Sequence, residues 1–246
     1  MKIHFLGTNG WYSSPTGNTI CTLLDTERAY IVLDAGDGIQ KLDAYITEDK
    51  PVYILISHLH LDHIIGFHIM PKFKFLNPVT VFVAEELLAN VKNLVRDPFT
   101  AAWENIGLNI ALKYFSVAGQ LPFEIQYRQL NHTGITYGFR LNFDGKIIAY
   151  GCDTGSCDAV KELGRQADVF ILECSMKKGD SAGDWGHLDP VAAAKIAEEA
   201  GAKKLVLTHF SANEYHTLKQ REIAGSFAKE IFPEVVVARD GQSIVI

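Results

Sequence analysis

The sequence lacks the features that mark secreted and membrane proteins. Its 246 residues include four cysteines, none of them in a C-x-x-C pair, which argues against a disulfide framework. Cys21, Cys152, Cys157 and Cys174 are therefore predicted to be reduced, mostly buried thiols. No apolar stretch is long enough to cross a membrane, and residues 1–7 read as a strand without a signal-peptide cleavage site. We expect a cytoplasmic protein with no membrane partner.

An excess of positive charge is also missing. Lys and Arg number 23 against 29 Asp and Glu, so the net charge is −6 at pH 7. A polyanionic macromolecular partner normally requires a basic face, and this balance disfavours one. A local basic patch or bound cations can still act against the global charge. The sequence has no repeat and no low-complexity segment, and its 48% hydrophobic residues are enough for a sizeable core.

Strand and helix patterns alternate along the chain. Apolar stretches rich in β-branched residues predict strands, whereas helix-period patterns between capping and breaking residues predict helices. Strands are predicted at 3–6, 19–25, 29–34, 51–56, 79–83, 123–130, 137–143, 146–150, 169–172, 205–211, 235–238 and 243–246, and helices at 39–46, 85–95, 191–200 and 214–231.

Three histidines and one aspartate fall within six positions in the segment S-H-L-H-L-D-H, residues 57–63. In extended geometry His58 and His60 point the same way and can bind one ion. Asp62 and His63 follow where the chain turns and can reach a second ion. Imidazole together with carboxylate suits Zn, Mn or Fe. A polar surface loop is the alternative interpretation, but four potential ligands at this spacing predict a metal site at a strand end.

The pattern H-x-H-x-D-H resembles the signature of the metallo-β-lactamase-fold hydrolases. The resemblance covers nearly the whole chain because later ligands follow in order. It implies an α/β fold, a four-layer αβ/βα sandwich, built as a single domain by residues 1–246, with two metals at the sheet edge. Within the family, F-L-G-T-x-G at residues 5–10 and G-H-L-D-P at residues 186–190 resemble the ribonuclease Z-like phosphodiesterase branch.

Two further polar residues sit just past a predicted strand, and a third lies within one. His132 follows one strand, a hairpin turning at residues 144–145 delivers Asp153, and a later strand delivers His209. They resemble the family's third histidine of the first metal, its bridging aspartate and its final ligand. The implied cofactors are two divalent metal ions, Zn²⁺ first, with Mn²⁺ or Fe²⁺ as alternatives. The implied ligands are His58, His60 and His132 for one metal, Asp62, His63 and His209 for the other, and Asp153 as the bridge.

Such a centre is suited to hydrolysis without a covalent enzyme intermediate. Zinc lowers the pKa of its bound water toward about 7, so that a metal-bound hydroxide is available to attack the substrate at neutral pH. Asp62 is expected to serve catalysis as well as metal binding.

His187 lies outside the implied metal set and distinguishes the branches of the family. Its setting resembles the extra histidine of the ribonuclease Z-like branch, which implies that it stabilises the phosphate and assists the leaving group. Glu173, at the strand end of L-E-C-S, could orient His187 by accepting its other N–H. Asp34, in a D-x-G turn, is expected to hold loop backbone or a ligand histidine. His4, His68 and His216 have no motif support.

Two other segments are open to more than one interpretation. The glycine- and serine-rich loop at residues 7–18 is either a plain connection or, as the resemblance implies, a loop near the metal cleft. The segment 97–103, in which large aromatics stand among small residues, is either a packed connector or an aromatic lid or dimer contact.

The favoured function is a dinuclear metal-dependent phosphodiesterase. Transfer-RNA 3′ processing is an alternative, but enzymes of that class hold transfer RNA with a long arm between the third histidine and the bridging aspartate. Here only residues 133–152, filled by a hairpin, separate His132 from Asp153. This short spacing favours a cyclic nucleotide, a cyclic phosphate or a short RNA end as substrate. A homodimer is implied only by the resemblance.

Two further functional classes share the fold. A lactonase or thioesterase would use the same metal ligands, and G-H-L-D-P is the feature that argues against it. A non-catalytic binding module usually loses ligands, whereas all seven positions are occupied here. A flavin-partnered diiron oxygen reductase fits poorly because that branch has a glutamate where His60 stands.

Overall fold

A computed structural model of the protein describes residues 1–116 and 121–246. The polypeptide divides into two compact units. The first unit comprises Met1–Gly7, Asn18–Pro122 and Asp240–Ile246, and the second comprises Thr8–Gly17 and Phe123–Arg239. Among the helices that the structure describes, none is both long and apolar enough to cross a membrane.

The strands of the described chain follow one another as β1 (Lys2–Gly7), β2 (Asn9–Gly10), β3 (Cys21–Asp25), β4 (Tyr30–Leu33), β5 (Val52–Leu55), β6 (Val79–Val83), β7 (Ile110–Tyr114), β8 (Glu124–Gln129), β9 (Tyr137–Phe143), β10 (Lys146–Gly151), β11 (Val169–Glu173), β12 (Leu205–Thr208), β13 (Phe210–Ser211), β14 (Val235–Val237) and β15 (Ser243–Val245).

The α-helices are α1 (Leu61–Ile64), α2 (Leu88–Leu94), α3 (Asp158–Gly164), α4 (Pro190–Glu199) and α5 (Leu218–Lys229). Short 3₁₀ helices lie at Asp37–Ala44, Ile65–Lys72, Glu85–Leu87, Trp103–Asn105 and Gly183–Trp185.

The first unit is built on a seven-stranded mixed sheet in the order β15-β1-β3-β4-β5-β6-β7. Strands β4 to β7 run parallel, and β1, β3 and β15 join them in antiparallel fashion. All four residues of β4 are buried, as expected for a parallel strand covered on both faces. The parallel register brings the carboxyl ends of β4 and β5 to one sheet edge, where the segments of Asp34 and His58 begin.

The second unit holds a six-stranded sheet in the order β14-β12-β11-β10-β9-β8. Strands β10, β11, β12 and β14 are parallel neighbours, and the β8–β9–β10 meander is antiparallel. Helices α3, α4 and α5 contribute to the hydrophobic core against it, for example through Leu163, Ile196 and Ala228. A two-stranded parallel ribbon, β2 with β13, lies in the same unit.

Most predicted elements are present, and the differences have local causes. β7 and α3 are not predicted from the sequence, because no residue of β7 is fully buried to give an apolar pattern and α3 spans only seven residues. The predicted helix at 214–231 begins only at Leu218, because Thr217 and Gln220 form a reciprocal capping box there. The predicted strand at 205–211 is interrupted at His209, which adopts a left-handed backbone with φ of 52°.

The aromatic segment at 97–103 is packed at one end and exposed at the other. Trp103 is buried, and its ring meets Phe67 edge-on with ring centroids 5.0 Å apart. The indole N–H also donates to the Phe67 carbonyl at 3.4 Å. Phe99 is exposed. The packed-connector interpretation therefore describes Trp103.

The four cysteines are free thiols, as the sequence predicts. Cys21, Cys152 and Cys174 are buried, and Cys157 is half-buried. Burial raises the pKa of the Cys174 thiol far above its ordinary value. The same cause raises the pKa of Cys21.

Candidate metal centre

In the first unit, the S-H-L-H-L-D-H segment changes from extended to helical backbone. β5 ends at Leu55, His60 is still extended, and α1 begins at Leu61. Asp62 and His63 therefore lie in the first turn of a helix, where the sequence predicts only that the chain turns.

The side chains of this segment cluster. The ring centroids of His58 and His60 are 4.5 Å apart, and those of His58 and His63 are 4.1 Å apart. A carboxylate oxygen of Asp62 lies 3.7 Å from Nε2 of His63. His58 and His63 are buried, so their ring nitrogens require partners that compensate for lost hydration.

Asp34 supports this cluster from the end of β4. Its carboxylate accepts hydrogen bonds from the Ser57 backbone N–H at 2.8 Å and from the Ser57 hydroxyl at 2.9 Å. The same carboxylate lies 2.8 Å from Nδ1 of His63. The side chain is fully buried, and the backbone has a φ of 58°, a left-handed conformation that Asp tolerates better than most residues. Asp34 thus holds loop backbone and a histidine, as expected.

The D-x-G turn also fixes the start of α1. The Ala35 N–H donates to the His63 carbonyl at 2.7 Å. A Cβ placed on Gly36 would lie 2.2 Å from the carbonyl oxygen of Asp62. Glycine is required at this position because the two backbones approach so closely.

In the second unit, four polar side chains follow strand ends or the loop before α4. His132 comes after β8, Asp153 after β10 and His209 after β12, and His187 lies three residues before α4. Because β10, β11 and β12 are parallel neighbours, their carboxyl ends share one edge. Asp153, His187 and His209 accordingly offer ligand atoms that all lie within 4.8 Å of one another.

Asp153 is the centre of this group. One of its carboxylate oxygens lies 3.1 Å from Nδ1 of His209, and the other lies 3.8 Å from Nε2 of His132. The rings of His187 and His209 are nearly parallel with centroids 6.1 Å apart. The structure therefore brings His187 within reach of the predicted ligands of this unit.

Glu173 contacts His187 directly. Its carboxylate lies 2.7 Å from Nδ1 of His187 and is fully buried. It also accepts hydrogen bonds from the backbone N–H groups of Thr154 at 2.8 Å, Ser175 at 3.2 Å and Leu188 at 3.3 Å. Four groups thus hold one carboxylate, which fixes the imidazole of His187 in turn.

An oxygen atom lies next to Nδ1 in five of these histidines. The partners are Ser57 Oγ for His58 (3.0 Å), Asp34 Oδ2 for His63 (2.8 Å), the Gly186 carbonyl for His132 (3.3 Å), Glu173 Oε1 for His187 (2.7 Å) and Ser175 Oγ for His209 (3.0 Å). This pattern assigns Nε2 as the atom that each ring presents for metal or substrate, and such contacts typically orient metal-binding histidines. The donor set of imidazole and carboxylate fits divalent zinc, manganese or iron.

A family comparison decides the identity of the fold. The sequence profile of the beta-lactamase superfamily domain matches residues 29–210, well over half of the chain.

This chain belongs to the β-lactamase superfamily.

Two curated members are similar over their full length. Ribonuclease Z of Bacillus licheniformis is 26% identical in an alignment of 304 positions that covers 98% of this chain and 97% of the relative. The probable metallo-hydrolase YhfI of Bacillus subtilis is 26% identical over 251 positions, covering 98% of both chains. The first alignment is longer than this chain, so that relative carries segments that are missing here.

Solved structures of the superfamily have the same fold. The crystal structure of YhfI has a TM-score of 0.82 at 22% identity and covers 99% of both chains. Human tRNase Z, short form, has a TM-score of 0.76 at 23% identity and covers 100% of this chain and 99% of the other. The predicted α/β metallo-β-lactamase fold is confirmed. The protein is a hydrolase of this superfamily, whose fold implies divalent metal ions.

Some supporting residues of this superfamily member are not among those that the sequence predicts. Ser57 contacts the adjacent His58, whereas Ser175 contacts His209 across 34 positions of the chain. Arg221 is fully buried in α5, on the same helix face as Ala224, Gly225 and Ala228. A charged residue at this spacing from three small residues is the one signal in the sequence that could have pointed to it.

Proposed function

We propose that the protein is a dinuclear metal-dependent phosphodiesterase. Its substrate is a small phosphodiester: a cyclic nucleotide, a cyclic phosphate or a short RNA end. The observation that carries this proposal is the pair formed by His187 and the buried Glu173, beside the potential ligands Asp153 and His209. A phosphodiester is anionic and releases an alkoxide, and both features benefit from a positioned imidazolium.

The proposed ligand set is that of the sequence resemblance. It assigns His58, His60 and His132 to one metal, Asp62, His63 and His209 to the other, and Asp153 to both. Zinc is the proposed ion because imidazole and carboxylate are its usual ligands. Bound divalent ions supply Lewis-acid activation of water and charge stabilisation at the phosphoryl oxygens.

His187 would act through Nε2, since Nδ1 faces Glu173. In this role Nε2–H donates a hydrogen bond to a phosphoryl oxygen and then gives its proton to the departing alkoxide. Glu173 keeps the proton on Nδ1 in the neutral ring and stabilises the imidazolium. Asp62 is proposed to accept a hydrogen bond from the attacking water, which orients it toward phosphorus.

The preference for a small substrate rests on what lies between His132 and Asp153. In that interval the chain forms only the β9–β10 hairpin, which turns at residues 144–145. The alignment of 304 positions with ribonuclease Z, against 251 with YhfI, agrees with a shorter chain that lacks segments of the former. No long arm is therefore available in this interval to hold transfer RNA.

Transfer-RNA 3′ processing is the second candidate function. The observation in its favour is the full-length similarity to a protein named ribonuclease Z. A precursor transfer RNA with a 3′ trailer is accordingly included among the test substrates.

The test measures hydrolysis by the zinc-loaded protein of bis-p-nitrophenyl phosphate, a lactone, a thioester and the precursor transfer RNA. We expect phosphodiester turnover that falls by about 10²-fold or more in His187→Ala, the scale of losing one hydrogen-bond donor to the developing negative charge. His216→Ala is the matched control, because His216 is an exposed histidine of the same unit without motif support. Preferred lactone or thioester turnover that is indifferent to His187 would refute the phosphodiesterase proposal.

A further inference from the structure

The loop at Thr8–Gly17 exposes two adjacent aromatic side chains. Trp11 is 67% exposed and Tyr12 is 43% exposed, with their ring centroids 5.6 Å apart. The backbone of Trp11 has a φ of 73°, a left-handed conformation that is unusual for a bulky residue. Strained positions of this kind persist only where the surroundings enforce them, and they cluster at ligand-binding sites.

Arg221 provides that enforcement from within the core. It is fully buried, and its guanidinium donates to Thr8 Oγ1 at 3.0 Å, to Thr16 Oγ1 at 2.7 Å and to the side-chain oxygen of Asn9. The Asn9 amide in turn donates to the Tyr12 carbonyl at 3.1 Å. A chain of hydrogen bonds therefore leads from α5 to the backbone that carries the aromatic pair and fixes that backbone.

The same loop lies against His209. Asn9 and Gly10 form β2, which pairs with β13 directly after this histidine. A Cβ on Gly10 would come within 2.5 Å of the imidazole carbon Cε1 of His209. Only glycine fits between the loop and the ring. The exposed indole thus belongs to the residue immediately after the one that touches a proposed metal ligand.

We propose that Trp11 stacks on the nucleobase of a phosphodiester whose phosphate is bound by His187, next to His209, with Tyr12 supporting the indole from its edge. This inference rests on the proposed function and narrows its substrate class to nucleoside phosphodiesters. A flat aromatic face on a backbone that is already fixed binds any base by stacking, and no loop entropy is lost on binding. A cyclic phosphate of a bare sugar or an alkyl phosphodiester would leave this surface unused.

Two substrates that share a leaving group separate the contribution of the nucleobase from that of the hydrolysis step. Thymidine 5′-(p-nitrophenyl phosphate) and methyl p-nitrophenyl phosphate both release p-nitrophenolate, and only the first carries a nucleoside. The readout is the ratio of their kcat/KM values. We expect the wild type to prefer the thymidine ester and Trp11→Asn to lower the ratio about 10-fold, the scale of one base–aromatic stack.

The choice of variants excludes loop strain as an explanation. Asn tolerates the left-handed backbone better than most residues, so Trp11→Asn removes the ring without opposing the conformation of the loop. Trp11→Phe retains an aromatic face and is expected to keep the preference. An unchanged ratio in Trp11→Asn, or an equal loss in Trp11→Phe, would overturn the proposal.

Tryptophan fluorescence gives a second readout that does not require turnover. The chain has three tryptophans, and in a Trp185→Phe protein only Trp11 and the buried Trp103 remain. Adenosine 5′-monophosphate should quench this protein, whereas ribose 5-phosphate should not, and Trp11→Asn should abolish the difference. Quenching without hydrolysis of either ester would uphold the stack and refute the phosphodiesterase proposal. Hydrolysis of both esters without base-dependent quenching would refute the stack and uphold the phosphodiesterase proposal.

Discussion

The carboxylate of Glu173 lies 2.7 Å from Nδ1 of His187 and is at the same time held by three backbone N–H groups. It therefore cannot rotate away from the imidazole without breaking several hydrogen bonds. The histidine sits on a loop, yet its ring is oriented by a side chain at the end of the buried strand β11. Under the proposed function, this relationship makes Glu173 a positioning residue that acts through His187.

Glu173→Gln should lower kcat/KM for bis-p-nitrophenyl phosphate by about 10²-fold, because a neutral amide stabilises an imidazolium poorly. The decisive measurement is a double-mutant cycle. In a His187→Ala protein, Glu173→Gln should cause almost no further loss, since residues that act as a unit are strongly non-additive.

Glu162→Gln on α3 is the matched control, because Glu162 is exposed and its ion pair with Arg128 at 3.6 Å lies on the surface. Its kcat/KM should stay within about twofold of the wild type, in keeping with the small contribution of surface ion pairs. If the fold-losses in kcat/KM of Glu173→Gln and His187→Ala multiply in the double variant, the two residues act independently.

Asp34→Asn should weaken zinc binding by about 10-fold to 100-fold, the usual effect of removing a group that orients a metal-binding histidine. Asp34 holds both Ser57 and His63, so its loss loosens two of the contacts to ligand-type rings. Competition with a chromophoric chelator measures the affinity.

Asp37→Asn is a close control for this experiment, because Asp37 lies in the same turn and its carboxylate accepts hydrogen bonds from Asn18 at 2.7 Å and Gln40 at 3.2 Å. Equal zinc affinities in the two variants would contradict the orienting role of Asp34.

Arg221→Met should reduce the free energy of unfolding by about 3 kcal/mol, because buried acceptors on Thr8, Asn9 and Thr16 lose their donor. Urea denaturation followed by circular dichroism measures the change. Arg239→Met serves as the comparison: its ion pair with Glu222 is exposed and should contribute less than about 1 kcal/mol. A small change at Arg221 would indicate that the loop finds other partners.

Thiol labelling of the native protein should modify Cys157 and spare the other three cysteines. Cys157 is half-buried, whereas Cys21, Cys152 and Cys174 are buried, and burial raises the pKa values of Cys21 and Cys174. Mass spectrometry after brief treatment with iodoacetamide at neutral pH gives the number of adducts. More than one adduct before unfolding would show that a core strand opens readily.

Much of this architecture could be predicted because its signals are local. β6 and β9 lie at the predicted residues, and α4 lies within one residue of its predicted bounds, since Asp189 caps the helix and Pro190 opens it. The histidine pattern at residues 57–63 is equally local.

The contacts of Glu173 with His187 and of Asp34 with His63 agree with expectations from the sequence. Other contacts that orient the site could not be predicted, because they join residues far apart in the chain: the Gly186 carbonyl lies next to His132 across 54 positions, and Ser175 contacts His209 across 34. Which serine or carbonyl meets each Nδ1 depends on how loops fold back, and a periodic pattern carries no information on that.

Asp153 follows a sheet strand whereas His187 lies on a loop, and this difference affects which of the two can change position during evolution. Asp153 follows directly from a sheet strand, so any shift in its position would disturb the packed core of the second unit. His187 lies on a loop that contains glycines at 179, 183 and 186, all in left-handed conformations. Changes in the length of that loop leave β10, β11 and β12 intact. The leaving-group role proposed for His187 can therefore be exchanged during evolution, or by loop grafting, separately from the residues that follow the sheet strands.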